Sequence, residues 1–279
     1  LVRGANRASR ALIATSLAKS KNIPLLVVVP TLEEATRWYS LLELMGWGKT
    51  FLYPTSEGSP YEGFESISEI IWGQLQVLSE LISGNKLNDL AIVATERSLQ
   101  PHLPPITSLE SKCITVNKSD EINLEELSFN LTKLGYSRLG TIEQEGTWSR
   151  RGDIIDIYPV SSELPIRLEF FGDELVKIRE FDPNTQRSLD EINHICLTPT
   201  SFSPLIAEQI TNQTSNSIEN LLDEASLEAL IEGDIPDGIG RLMGIAWDEP
   251  SSLLEYIPKH TCVVIDEKKQ CCAHGNKWL

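Results

Sequence analysis

Leu25–Pro30 reads LLVVVP, a short unbroken apolar run closed by proline, the pattern of a strand buried on both faces. Thr31 with Glu34 follows as a capping pair, and Ala35, Trp38, Leu42 and Met45 recur at helical spacing until Gly46 stops the helix. Phe51–Pro54 is a second short strand. Ile67, Ile71, Leu75, Leu78 and Ile82 line a second helix ending at Gly84, and Leu90–Thr95 (LAIVAT) is a third buried strand. Strand, helix, strand, helix, strand predicts a parallel sheet covered by helices, hence an α/β fold.

Upstream of this pattern, Leu1–Ala11 reads LVRGANRASRA, placed before a helix as a phosphate-binding loop would be. Such a loop, G-x-x-x-x-G-K-[ST], needs glycines so that backbone N–H groups can wrap phosphates, a lysine for the terminal phosphates and a hydroxyl for magnesium. Gly4 matches the first glycine, whereas Ser9, Arg10 and Ala11 replace the second glycine, the lysine and the hydroxyl. Far downstream, Thr261–Asp266 (TCVVID) followed by Glu267 has the form of a Walker B strand. Together these segments predict a degenerate P-loop NTPase sheet with its architecture kept and its chemistry lost.

The texture changes after Pro101–Pro105. Asn123 is an N-cap with Glu126 at the third helical position, and Leu124, Leu127, Leu131 and Leu134 make one helix closed by Gly135. Then Gly152–Pro159, Pro165–Phe171 and Glu174–Phe181 read as strands in quick succession, the last two joined at Gly172–Asp173 as a hairpin. Ser217–Gly233 is helical and acidic, and the α/β pattern resumes at Thr261. The expected organisation is therefore a parallel-sheet domain over 1–116 and 201–279, interrupted by an inserted α+β domain over 117–200.

Alternation along Pro165–Phe171 puts Ile166, Leu168 and Phe170 on a core face and Arg167, Glu169 and Phe171 on the other. Phenylalanine beside arginine on a polar face has the composition of a binding hot spot, and Arg150 and Arg151 on the preceding strand could extend it. The alternative is structural: Phe171 packs beneath the 117–134 helix, and Arg167 pairs with Glu169 or Asp156.

The composition is 41% hydrophobic and 23% charged, ordinary for a globular core. No apolar run approaches the roughly 18–20 residues of a membrane span, and the N-terminus has no signal-peptide layout. Five scattered cysteines without a C-x-x-C pair fit a reducing cytoplasm. The formal charge of −16 argues against nucleic acid as the main ligand. Residues 1–50 nevertheless carry seven Lys/Arg against three Asp/Glu, whereas 205–257 carry eleven acids against Arg241 alone. Cys271, Cys272 and His274 lack the paired, four-ligand spacing of structural zinc. Neither His102, His194 and His260 nor Glu143 and Glu145 form a catalytic constellation, so no catalytic, metal or cofactor residue is assigned.

RGDIIDIYP at 151–159, PIRLEFFGDELVKIREFD at 165–182 and TQRS at 185–188 resemble the UvrB-homologous module of the bacterial transcription-repair coupling factors. YPTSEGSPYEGF at 53–64, LGY at 134–136 and GIGRLMGIAWDEPSSLLEYIP at 238–258 extend the resemblance over nearly the whole chain. UvrB itself shares RGDIIDI and IRLEFFGDE, but its family keeps an intact P-loop and a long aromatic hairpin. The resemblance implies a UvrB-like fold and a non-catalytic N-terminal fragment that recruits the damage sensor UvrA to stalled RNA polymerase. It implies Arg151, Arg167 and Phe171 as the UvrA contacts. RNA polymerase and DNA would be engaged through domains absent here, ATP and magnesium would belong to the translocase motor of the full-length family, and the location would be cytoplasmic without a membrane contact. The alternative is a UvrB-like ATPase or helicase subunit of the excision machinery.

Overall fold

The computed structural model describes residues 4–55, 67–84, 87–212, 222–232, 234–236 and 238–276. Arg3, residues 56–64 of the YPTSEGSPYEGF run and the 217–221 start of the acidic helix lie outside the described residues. The chain forms two compact units, one from residues 1–103 and 251–279, the other from 104–250.

The first unit is built on a parallel sheet. Its strands are β1 (Leu25–Val29), β2 (Lys49–Tyr53), β3 (Leu90–Thr95) and, last in the chain, β12 (Cys262–Ile265), in the order β12-β1-β3-β2. Leu25 pairs with Cys262 on one side and Ala91 on the other, and every residue of β1 and β3 is buried. Helices α1 (Arg7–Ser20) and α2 (Leu32–Glu43) cover one face. Ala11, Ala14 and Ala18 of α1 and Trp38 and Leu42 of α2 join Leu25, Val27 and Val29 in one core. The small α1 residues let that helix lie close to the sheet. Thr31 caps α2 as the sequence predicts, its hydroxyl accepting from the Glu34 N–H. The long helix α3 (Ile67–Ser83) completes the strand–helix alternation.

The second unit has a six-stranded sheet in the order β10-β9-β8-β7-β6-β5. The strands are β5 (Ser137–Arg138), β6 (Thr147–Arg151), β7 (Ile154–Tyr158), β8 (Ile166–Phe171), β9 (Glu174–Phe181) and β10 (Ser188–Ile192). All neighbours are antiparallel except β5 and β6. Helix α4 (Leu124–Lys133), capped by Asn123, packs Leu124, Leu127 and Leu131 onto Ile155, Ile157, Leu168 and Ile178. The β8–β9 hairpin turns on Gly172, whose φ of +63° is the left-handed geometry glycine adopts without strain. A bulge leaves Val176 unpaired between the Glu169–Lys177 and Phe170–Leu175 pairs, so Leu175 and Ile178, three residues apart, both reach the core.

The expected insertion boundaries at 117 and 200 fall inside this unit, which reaches from 104 to 250. On the N-terminal side, β4 (Ile114–Asn117) pairs with β11 (His194–Leu197) and places Val116 in the same core as α4. On the C-terminal side, α5 (Ser203–Asn212) carries Glu208 to an ion pair with Lys112, and α6 (Glu224–Glu232) packs against it. Residues 201–250 therefore group with the second unit rather than with the parallel sheet. Within the first unit the two crossing points are neighbours. The Leu103 N–H donates to the Ser251 carbonyl and the Ser251 N–H to the Leu103 carbonyl, both at 2.8 Å.

Candidate partner-binding surface

The sheet of the second unit has one face against α4 and one face turned away from it. On the far face, pairing sets Asp156 of β7 opposite Arg167 of β8 and Arg167 opposite Arg179 of β9. Asp156 is 1% exposed, so its charge has to be paired. Arg167 meets it with both arms of its fork, Nε to Oδ1 at 2.7 Å and Nη2 to Oδ2 at 3.0 Å. Arg151, at the end of β6, adds a third bond from Nη2 to Oδ2 at 2.8 Å. The bonds to Asp156 hold the Arg167 guanidinium protonated, raising its pKa against the opposing effect of burial. Its other side lies over the Phe181 ring, 4.8 Å from the centroid.

The three residues singled out from the sequence thus differ in environment. Phe171 is 79% exposed at the tip of β8 and does not pack beneath α4. Arg151 is 62% exposed, whereas the Arg167 side chain is only 15% exposed. Arg167 adopts the structural pairing with Asp156 while standing on the same face as Phe171. Arg150 does not extend the patch. It pairs across the strands with the core residue Ile155, and its guanidinium turns to Glu125 of α4 at 2.7 Å. Alternation separates two adjacent arginines onto opposite faces. Asp156, the residue organising the cluster, lies within the RGDIIDIYP motif, but the sequence singles it out only as one possible partner of Arg167.

In the first unit, the segments resembling a P-loop and a Walker B strand do meet. Gly4 has φ +75°, and the Asn6 side chain caps α1 by accepting from the Ser9 N–H at 2.9 Å. Arg10 is ion-paired to Asp266 and lies 3.0 Å from Glu267. Trp38 Nε1 donates to the second oxygen of Asp266 at 2.8 Å. Hydrogen bonding to Glu267, with further help from Asp266, raises the Arg10 pKa. The two carboxylates that a Walker B strand would offer to metal and water are thus engaged by a side chain of the chain itself. Among the described residues, no group of three or more His, Cys, Asp or Glu is arranged to hold a metal ion. No described helix is long and apolar enough to cross a membrane.

Comparison with known proteins gives first a class. Residues 114–202 match the UvrB interaction domain, the segment that contains the Asp156 cluster and Phe171. The wider chain is similar to transcription-repair-coupling factors. It is 27% identical to that of Bacillus subtilis over 96% of this chain, 28% to that of Haemophilus influenzae over 93%, and 25% to that of Escherichia coli over 92%. The chain spans about a quarter of the length of these relatives, 23–24% of each. It is thus similar, over nearly its whole length, to the UvrB-homologous module of that family, as its motifs indicate.

Proposed function

We propose that this chain is the N-terminal, non-catalytic interaction module of a transcription-repair coupling factor, and that it recruits UvrA to stalled RNA polymerase during nucleotide excision repair. The observation that carries this reading is Phe171, a large apolar side chain held in water on the sheet face that also bears the Asp156-anchored Arg151 and Arg167, inside the segment matching the UvrB interaction domain. Exposed aromatic and arginine side chains on a rigid sheet have the chemistry of a binding hot spot. In this reading Phe171 fills a pocket on UvrA, Arg151 offers it a guanidinium, and Arg167 contributes its accessible edge. RNA polymerase and DNA are contacts of other segments of the longer protein, which also supply the ATP-driven translocase, and the setting is the cytoplasm.

The first unit, in the same reading, is a P-loop NTPase relic that needs no cofactor. The pairing of Arg10 with Asp266 and Glu267 supports this over a UvrB-like ATPase, because a guanidinium fills the carboxylates that magnesium would require. Calorimetric titration of UvrA into this chain tests the interaction. Saturable binding supports the proposal, and no heat at tens of micromolar protein contradicts it.

A further inference from the structure

We propose that Cys113 and Cys196 form an oxidation site, a thiol pair that closes to a disulfide under hydrogen peroxide. Strand register carries the argument. In the β4–β11 ribbon Leu197 lies opposite Ile114 and Cys196 opposite Thr115. Cys113 directly precedes β4, and continuing the alternation by one residue puts it on the face of Cys196, as its diagonal neighbour. Val116 and Leu197 are on the opposite face, sealed into the core with Leu168 and Phe170. The cysteine face is only partly covered, and both thiols are free and half-buried, so a small oxidant can reach them.

The two thiols are close enough that each perturbs the ionisation of the other, which makes their roles unequal. The neighbouring Cys113 holds Cys196 below the usual thiol range, with the Thr115 hydroxyl acting in the same direction and burial opposing it. Cys196 in turn pushes Cys113 up, reinforced by burial and by the nearby carboxylate of Glu110. Tyr136, buried alongside, donates its hydroxyl proton to the Thr198 carbonyl and carries no charge to compete. Cys196 is thus the attacking sulfur and Cys113 the resolving one.

The chemistry balances with one peroxide. The Cys196 thiolate attacks one peroxide oxygen, the O–O bond breaks, and the departing hydroxide is protonated to water, leaving a sulfenic acid. The Cys113 sulfur then attacks the sulfenic sulfur, the S–S bond forms, and the displaced hydroxide leaves as water with the Cys113 proton. Two thiols are oxidised and hydrogen peroxide is reduced to two waters. The new bond ties β4 to β11 and encloses the chain from α4 to β10, including the Asp156 cluster. Closing so long a loop restricts the unfolded chain and stabilises the unit.

The test is to treat the folded chain with hydrogen peroxide and map its disulfides by mass spectrometry under non-reducing digestion. The expected result is a peptide linking Cys113 to Cys196, lighter by two hydrogens, reversed by dithiothreitol and accompanied by a higher melting temperature. In Cys113→Ser, dimedone should trap a sulfenic acid on Cys196, and in Cys196→Ser it should trap none on Cys113. Retention of both thiols in wild-type protein, or a linkage confined to Cys271 and Cys272, overturns the proposal.

Discussion

Arg167 and Asp156 face each other across β8 and β7 and are joined by two hydrogen bonds of 2.7 and 3.0 Å, with the carboxylate sealed from water. The pair makes Arg167 part of the fold as well as part of a surface. Removing one member of a buried ion pair strands the other charge, at a cost of about 3–5 kcal/mol when nothing compensates. Arg151 also reaches Asp156 and softens the loss, so Arg167→Ala should destabilise the second unit by about 2–3 kcal/mol. Urea unfolding of wild type and variant measures this. An unchanged midpoint would mean that the pair contributes nothing to stability.

The ion pairing of Arg10 leads to a separate expectation. With Asp266 and Glu267 already engaged, Mg-ATP should give no saturable heat at millimolar nucleotide, and Arg10→Ala should lower stability by about 2 kcal/mol rather than create a nucleotide site. Micromolar ATP affinity, abolished by changing Asp266, would restore the ATPase reading.

The Leu103–Ser251 bridge shows where to divide the chain. Because both crossing residues pair within the first unit, residues 104–250 expressed alone should retain their own core, with dispersed amide resonances and a cooperative melt. Residues 117–200 alone should fare worse, since they lack β4 apart from its last residue, Asn117, and with it the core residue Val116. Equal behaviour of the two segments would show that β4 and α5 are dispensable.

Much of this was legible in the sequence because it rests on local pattern. LLVVV and LAIVAT are strands buried on both faces, Thr31 and Asn123 are caps, and Gly172 is the hairpin turn. What escaped depends on pairing between distant residues. β10 (SLDEI) is polar and exposed at the sheet edge, and β4 (ITVN) is only four residues long and finds its partner β11 some eighty residues later. The outer limit of the second unit follows from that pairing and from the Lys112–Glu208 bridge. Alternation identified the face of Arg167 and offered Asp156 among its possible partners, but not that Arg151 would share that carboxylate or that Phe181 would lie beneath the guanidinium.

His102 supplies a pH dependence. Its Nδ1 lies 2.7 Å from the Gln100 carbonyl and so carries the proton, leaving Nε2 to accept from the Tyr53 hydroxyl at 2.6 Å. Burial holds its pKa below the usual 6.5, only partly offset by the bond to Gln100. Below about pH 6.5 the unfolded chain takes up a proton that the folded protein excludes, so stability should fall as pH drops through that range and be unaffected above it. Comparing urea midpoints at pH 7.5 and 5.5, the loss should be smaller in His102→Gln than in wild type. An equal loss would assign the effect to other groups.

The most direct measurement of the central claim is the affinity of UvrA for wild type and for Phe171→Ala. Phe171 is 79% exposed and, among the described residues, belongs to none of the core clusters given above, so the variant should melt with the wild type. A hot-spot aromatic costs about 2 kcal/mol or more on truncation, about thirtyfold in affinity. The account predicts that loss by calorimetry, with Arg151→Ala weakening binding in the same direction. UvrA binding that survives Phe171→Ala at wild-type affinity would contradict it.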